Sequence, residues 1–198
     1  LFKIGAVVKH VARIGLGALA AAEALGADLA LAAQSLGRWS PYQGRGARAV
    51  IVLDPVDTHM TLELIDDSYN ANPTSMAAAL DVLAAAEVTN DIGRVSKGRR
   101  SAFVGDMKEL GADGAKMHAD LAALEAAENI DVIHCVGPLM KHLHDALPAQ
   151  KQGQWTETSE EMAAQVPRRL DRGDGVLVKG SLSLKLALIV DAIRKMGH

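Results

Sequence analysis

Cysteine is almost missing from this 198-residue chain, Cys135 being the single example. An intrachain disulfide is therefore impossible, and a reducing cytoplasm is the natural setting. Aromatic residues make up only 3%, so alanine and leucine must fill the core, for which a hydrophobic fraction of 49% suffices. A basic stripe is also lacking: 21 basic and 24 acidic residues are spread along the chain, which argues against DNA or RNA as a partner. The apolar stretch from Ile14 to Ala33 is interrupted by Glu23 and Asp28, which argues against a membrane span. Leu1 to His10 is too short and too mixed for a signal peptide. No internal repeat or low-complexity tract is evident. These absences leave a soluble, globular protein of one full domain plus a remnant, expected to be a monomer. The start at Leu1 rather than methionine suggests a piece of something longer.

What is present is an alternation of elements. Residues 10–36 read as two helices, Val11 to Leu25 and Asp28 to Leu36, broken at Gly26 and rich in alanine and leucine. Their apolar residues lie nearly all round, so the pair calls for a partner surface of its own. Gly37 to Ala47 is glycine-rich and polar and makes the best linker, with the domain boundary at residues 41–47. Beyond it, Ala49 to Leu53 and Thr61 to Ile65 are strand-like, joined by the turn signal Asp54-Pro55-Val56-Asp57. A helix from Pro73 to Glu87 comes next, with Asn72 as N-cap and Met76, Leu80 and Leu83 as its buried stripe. The pattern then predicts a strand at Ser101 to Val104, a helix at Ala115 to Ala127 with Met117, Leu121 and Leu124 inward, and a strand at Asp131 to Val136. Helices near Pro138 to Ala146 and Ser159 to Leu170, a strand at Gly175 to Val178 and a helix at Leu184 to Met196 complete it. The fold class is α/β, a mostly parallel Rossmann-like sheet with helices on both faces, preceded by the helical remnant.

In such a sheet the C-terminal strand ends share one edge, where ligands are held. Three polar clusters fall there: Asp66 to Asn72, Gly105 to Gly111 and Lys179 to Ser183. Helix capping and turn chemistry account for each cluster alone about as well as a ligand does, but less well for all three together. Lys179 ends the apolar run Val176-Leu177-Val178 and has to reach solvent or an anion, which a helix starting at Gly180-Ser181 would also favour. His142 and His144 stand two apart and face different sides of a helix, so they form no metal pair. His118 reads as a solvated or capping histidine ahead of a catalytic one.

The runs LIDDSYNANPTSM (64–76), GDMKELG (105–111) with His118, and VLVKGS (176–181), together with GRG around Arg45, resemble the Mur ligase family. Within it they resemble the branch that joins D-alanyl-D-alanine to UDP-N-acetylmuramoyl-tripeptide in peptidoglycan synthesis. The resemblance implies that residues 1–40 are the tail of a central ATP-binding domain and 48–198 the C-terminal Rossmann-like domain. The N-terminal domain and most of the central one are missing. It implies ATP and Mg²⁺ as cofactors of the complete enzyme, with neither bound firmly by this fragment. No G-x-x-x-x-G-K-[ST] loop occurs in the sequence, and the family's Mg²⁺ ligands are absent, so the chain is not expected to be active alone. By resemblance Arg45 and Asp67 contact the nucleotide. Tyr69, Asn70, Asn72, Lys179, Ser181 and Ser183 line the dipeptide pocket, and Asp106 and Glu109 either hold the loop or orient the incoming ammonium group. Catalytic residues are not assigned, and no metal site is. Three departures stand out: Val8 for a glycine, Ile14 for an adenine-contacting asparagine, and Leu182 for an arginine. The competing expectation is a stand-alone Rossmann-like binding or interaction module without catalysis.

Overall fold

The structure, a computed structural model, describes residues 9–197, so the departure at Val8 and most of the segment from Leu1 to His10 lie outside the described residues. Helices α1 (Lys9–Ala24) and α2 (Leu29–Arg38) form the predicted hairpin, with the Asp28 carboxylate accepting from the N–H groups of Ala30 and Leu31 at the start of α2. Much of the apolar surface of both helices is uncovered among the described residues: Ile14 and Leu16 of α1 and Leu31 of α2 are exposed.

Strand β1 (Ala47–Val52) turns through a loop held by Asp54, whose carboxylate accepts from Val56 and Asp57, into the antiparallel β2 (Thr61–Asp67). Helix α3 (Pro73–Ala84) comes next, then β3 (Arg100–Gly105), α4 (Gly114–Ala119), α5 (Glu125–Glu128) and β4 (Val132–Val136). Helix α6 (Met140–Ala146), β5 (Gln152–Thr156), α7 (Ser159–Ala163), β6 (Gly175–Lys179) and α8 (Ala187–Arg194) complete the order. The six strands form one sheet in the order β1-β2-β6-β3-β4-β5, parallel from β2 onward.

Alternation along the strands feeds two cores. Ile65, Leu177, Ala102 and Val104 pack with Met76, Leu80 and Leu83 of α3 and Leu143 of α6; Leu64, Val176, Val178 and Phe103 pack with Met162 of α7 and Ile189 and Ile193 of α8. Strands buried on both faces read as continuous apolar runs, which is why GVLVK is easy to recognise.

Four expectations are corrected. The helix at 115–127 is broken: Leu124 is extended (φ −68°, ψ 137°), leaving the short α4 and α5 joined by a 3-10 turn. Leu121 is buried as expected and Leu124 partly so, but one turn earlier the inward side chain is His118, fully buried, and Met117 is only half-buried. The helix at 159–170 stops at Ala163, and β5 precedes it where no strand was expected. Finally, Gly180-Ser181 opens no α-helix. A 3-10 turn at Leu182–Leu184 intervenes before α8, and the Ser181 N–H is taken by the Asp106 carbonyl, so the inferred anion-binding helix start is not built.

Candidate ligand site at the strand ends

The two acids that end β2 have opposite surroundings. Asp66 is buried, and one of its oxygens accepts from the Ser68 hydroxyl at 2.7 Å; it holds the turn. Asp67, one residue on, faces the other way and lies beside Lys179 in the β2–β6 register. The Lys179 ammonium donates to Asp67 Oδ2 at 2.6 Å and to the Asn70 carbonyl at 2.9 Å. The buried lysine therefore finds its anion within the fold, and it ties two strand ends and the adjoining turn into one unit.

The turn itself is rigid. Asn70 Oδ1 accepts from the Ala71 N–H, while Asn72 and Ser75 form a reciprocal capping box at the start of α3. Tyr69 projects outward, 44% exposed, and the Arg45 guanidinium lies 4.2 Å from its ring centre. Arg45 is held there because Gly44 and Gly46 bracket it: the Tyr69 N–H donates to the Gly44 carbonyl, and the Gly46 N–H donates to that of Asp66. Gly44 has φ +77°, and a Cβ on it would stand 3.2 Å from that of Tyr69, so a side chain there would be both strained and crowded.

Between this turn and the α1–α2 pair lies a cavity of about 770 Å³. Ile14, Ala18, Leu36 and Trp39 form its helical wall; Arg45, Asp67, Tyr69, Asn70, Asn72 and Lys179 form the opposite wall. One wall is thus apolar, the other rich in donors and acceptors, which suits a ligand with an apolar ring and a polar tail. Six of the ten residues singled out from sequence meet here.

The remaining four, Asp106, Glu109, Ser181 and Ser183, lie outside this cavity, around the ends of β3 and β6. Asp106 is fully buried, its carboxylate accepting from the Met140 N–H and pairing with the Lys108 ammonium. Gly137 makes room for it: a Cβ there would stand 2.5 Å from the carboxylate. Ser181 is buried and accepts from the Lys108 N–H, whereas Glu109 and Ser183 are exposed. Sequence reasoning passed over Trp39 as a cavity wall and Lys108 as a rim cation, whereas Ile14, which the resemblance set at an adenine-contacting position, does line the cavity. A lone tryptophan in a polar linker was the available signal for the first. Among the described residues no group of three or more His, Cys, Asp or Glu side chains is placed to hold a metal ion, and no helix is long and apolar enough to cross a membrane.

The fold and this edge define the ligase domain of one enzyme family. Residues 53–182 match the Mur ligase, glutamate ligase domain, and the chain belongs to the Mur ligase family. Its relatives include the UDP-N-acetylmuramoyl-tripeptide–D-alanyl-D-alanine ligases of Rickettsia prowazekii and Treponema pallidum. The first is 27% identical over 93% of this chain and 37% of its own length; the second is 35% identical over 68% of this chain and 28% of its own. Among solved structures, a MurF from Acinetobacter baumannii superposes with a TM-score of 0.73 at 26% identity, covering 97% of this chain and 39% of that one. A pseudomurein peptide ligase type C from Methanothermus fervidus (TM-score 0.64, 18% identity, 98% of this chain and 37% of that one) shares the fold. The chain thus spans a little over a third of the length of the first of these relatives.

Proposed function

We propose that this chain is the C-terminal part of an ATP-dependent ligase that joins D-alanyl-D-alanine to UDP-N-acetylmuramoyl-tripeptide in the cytoplasm, residues 1–40 being the tail of its central domain and 41–47 the link. The observation that carries this reading is the convergence of Arg45, Asp67, Tyr69, Asn70, Asn72 and Lys179 on one cavity, in a chain whose relatives are named for that reaction.

In the reaction, the tripeptide's terminal carboxylate takes the γ-phosphoryl group of ATP. The dipeptide's amino group then attacks the acyl carbon, forming the amide and releasing phosphate. An acyl phosphate survives only where water is excluded, which calls for a site closed between domains. The cavity fits a nucleoside: the apolar wall accepts a base, and Asp67 is placed to accept from ribose hydroxyls, its carboxylate oriented by Lys179. Arg45, stacked on Tyr69, supplies positive charge on the side where phosphates would lie. Phosphoryl cradling and Mg²⁺ binding require residues beyond this chain, so no step is assigned to the metal here. Tyr69, Asn70, Asn72, Ser181 and Ser183 face the dipeptide, while Asp106 holds the loop and Glu109 receives the incoming ammonium group.

Incubated with ATP, the UDP-linked tripeptide and D-alanyl-D-alanine, the chain should release no phosphate above background. Calorimetry should nevertheless register weak binding of ADP and binding of the dipeptide. Robust turnover, or no heat from the dipeptide, would overturn the proposal.

A further inference from the structure

His118 is a buried titratable group to which the ligase reaction gives no task. It lies on α4 with no exposed surface, its Nδ1 2.6 Å from the Gly114 carbonyl. That contact requires the proton on Nδ1, which leaves Nε2 as an acceptor, and Nε2 takes the Met107 N–H at 2.9 Å. The next N–H, of Lys108, goes to the hydroxyl of buried Ser181 at 3.0 Å, and the residue before, Asp106, is pinned through its carboxylate to Met140. Two buried side chains from elsewhere in the chain, His118 and Ser181, thus hold two consecutive N–H groups just past the end of β3, and the carboxylate of Asp106 anchors the residue before them. Glu109 comes directly after them, in the left-handed region at φ +64°, a conformation that glutamate rarely adopts without compulsion. Its side chain is exposed at the rim, and among the described residues nothing pairs with its carboxylate.

From these contacts we infer that His118 is a positioning residue for amine binding: by holding the Met107 N–H it forces the chain to deliver the Glu109 carboxylate to the rim, where it meets the ammonium group of the incoming dipeptide. The inference rests on the proposal that the rim binds the dipeptide. It assigns His118 no contact with substrate and no proton transfer.

The test is calorimetric titration of the whole chain with D-alanyl-D-alanine and, separately, with ADP. His118→Ala should weaken the dipeptide by about tenfold, while His118→Gln, whose side-chain oxygen can take the same N–H, should restore most of it. ADP affinity should hold within about twofold in both, because the nucleotide cavity lies on β2 and β6. The decisive arm is Glu109→Ala: if His118 acts through Glu109, adding His118→Ala to that background should cost little more. Fully additive losses, or parallel loss of ADP binding, would overturn the inference and leave the dipeptide reading standing. An unsubstituted chain that binds ADP but no dipeptide would overturn both.

Discussion

At the scale of single residues, Lys179 and Asp67 are an unequal couple. The lysine side chain is 3% exposed and the carboxylate 23%, so the two partners differ in what they lose when separated. Asp67→Asn strands an ammonium group where water barely reaches and should cost about 3–5 kcal/mol, the range for breaking a buried pair. Lys179→Met substitutes an apolar chain of similar length and leaves the carboxylate in partial contact with water; about 1–2 kcal/mol is expected. Urea denaturation of both variants decides the matter, and the reverse order would show that the carboxylate is the more dependent partner. Asn72→Ala removes one side of the capping box and should cost about 1 kcal/mol in the same assay. Asn72 therefore has a structural task whatever it also offers to a ligand.

At the scale of elements, β5 is fastened by a histidine. His134 of β4 is buried, stacked on Phe103 at 4.6 Å, and its Nδ1 accepts the Gln154 N–H at the point where the β4–β5 pairing shifts register. Burial, reinforced by the charges of Arg169 and Arg99, lowers its pKa from 6.5 to about 4. In the unfolded chain His134 gains a proton below pH 6.5, whereas the folded protein refuses it until about pH 4. Its contribution is therefore complete above pH 6.5 and lost as the pH falls through that window, by about 1.4 kcal/mol per unit at most. Stability measured from about pH 7 down to about pH 4 should show this slope, and His134→Phe, which cannot take up a proton, should lack that part of it. The same strand marks where sequence reasoning stops. QGQWT carries no apolar period, because an edge strand is paired on one side only and its side chains are half-covered. By contrast β2 and α3 are legible, since a buried strand and an Asn-Pro helix start each leave a local signature. That Asp67, Tyr69, Asn70 and Lys179 would meet is implied by parallel strands sharing an edge. That Lys179 would clasp Asp67 is not, because the register of residues 112 apart is written nowhere locally. The burial of His118 escapes sequence reasoning because its two partners, the Gly114 carbonyl and the Met107 N–H, are supplied by backbone groups that leave no mark in the sequence.

At the scale of the whole molecule, the apolar helix pair and the sheet share one cavity but not one framework. Residues 44–46 are stitched to the end of β2 by the Gly44–Tyr69 and Gly46–Asp66 hydrogen bonds, while α2 ends at Arg38. Of the two arginines flanking this junction, trypsin should therefore cut after Arg38 well before Arg45, since cleavage tracks the looser backbone. Mass spectrometry would then find a fragment starting at Trp39, and a first cut at Arg45 would show that the stitching is weaker than its geometry suggests. Any turning of the helices against the sheet has to be absorbed by residues 39–43, so Arg45 travels with the sheet and Leu36 with the helices. A ligand gripped by both walls splints that joint, and its affinity then includes the cost of stilling it.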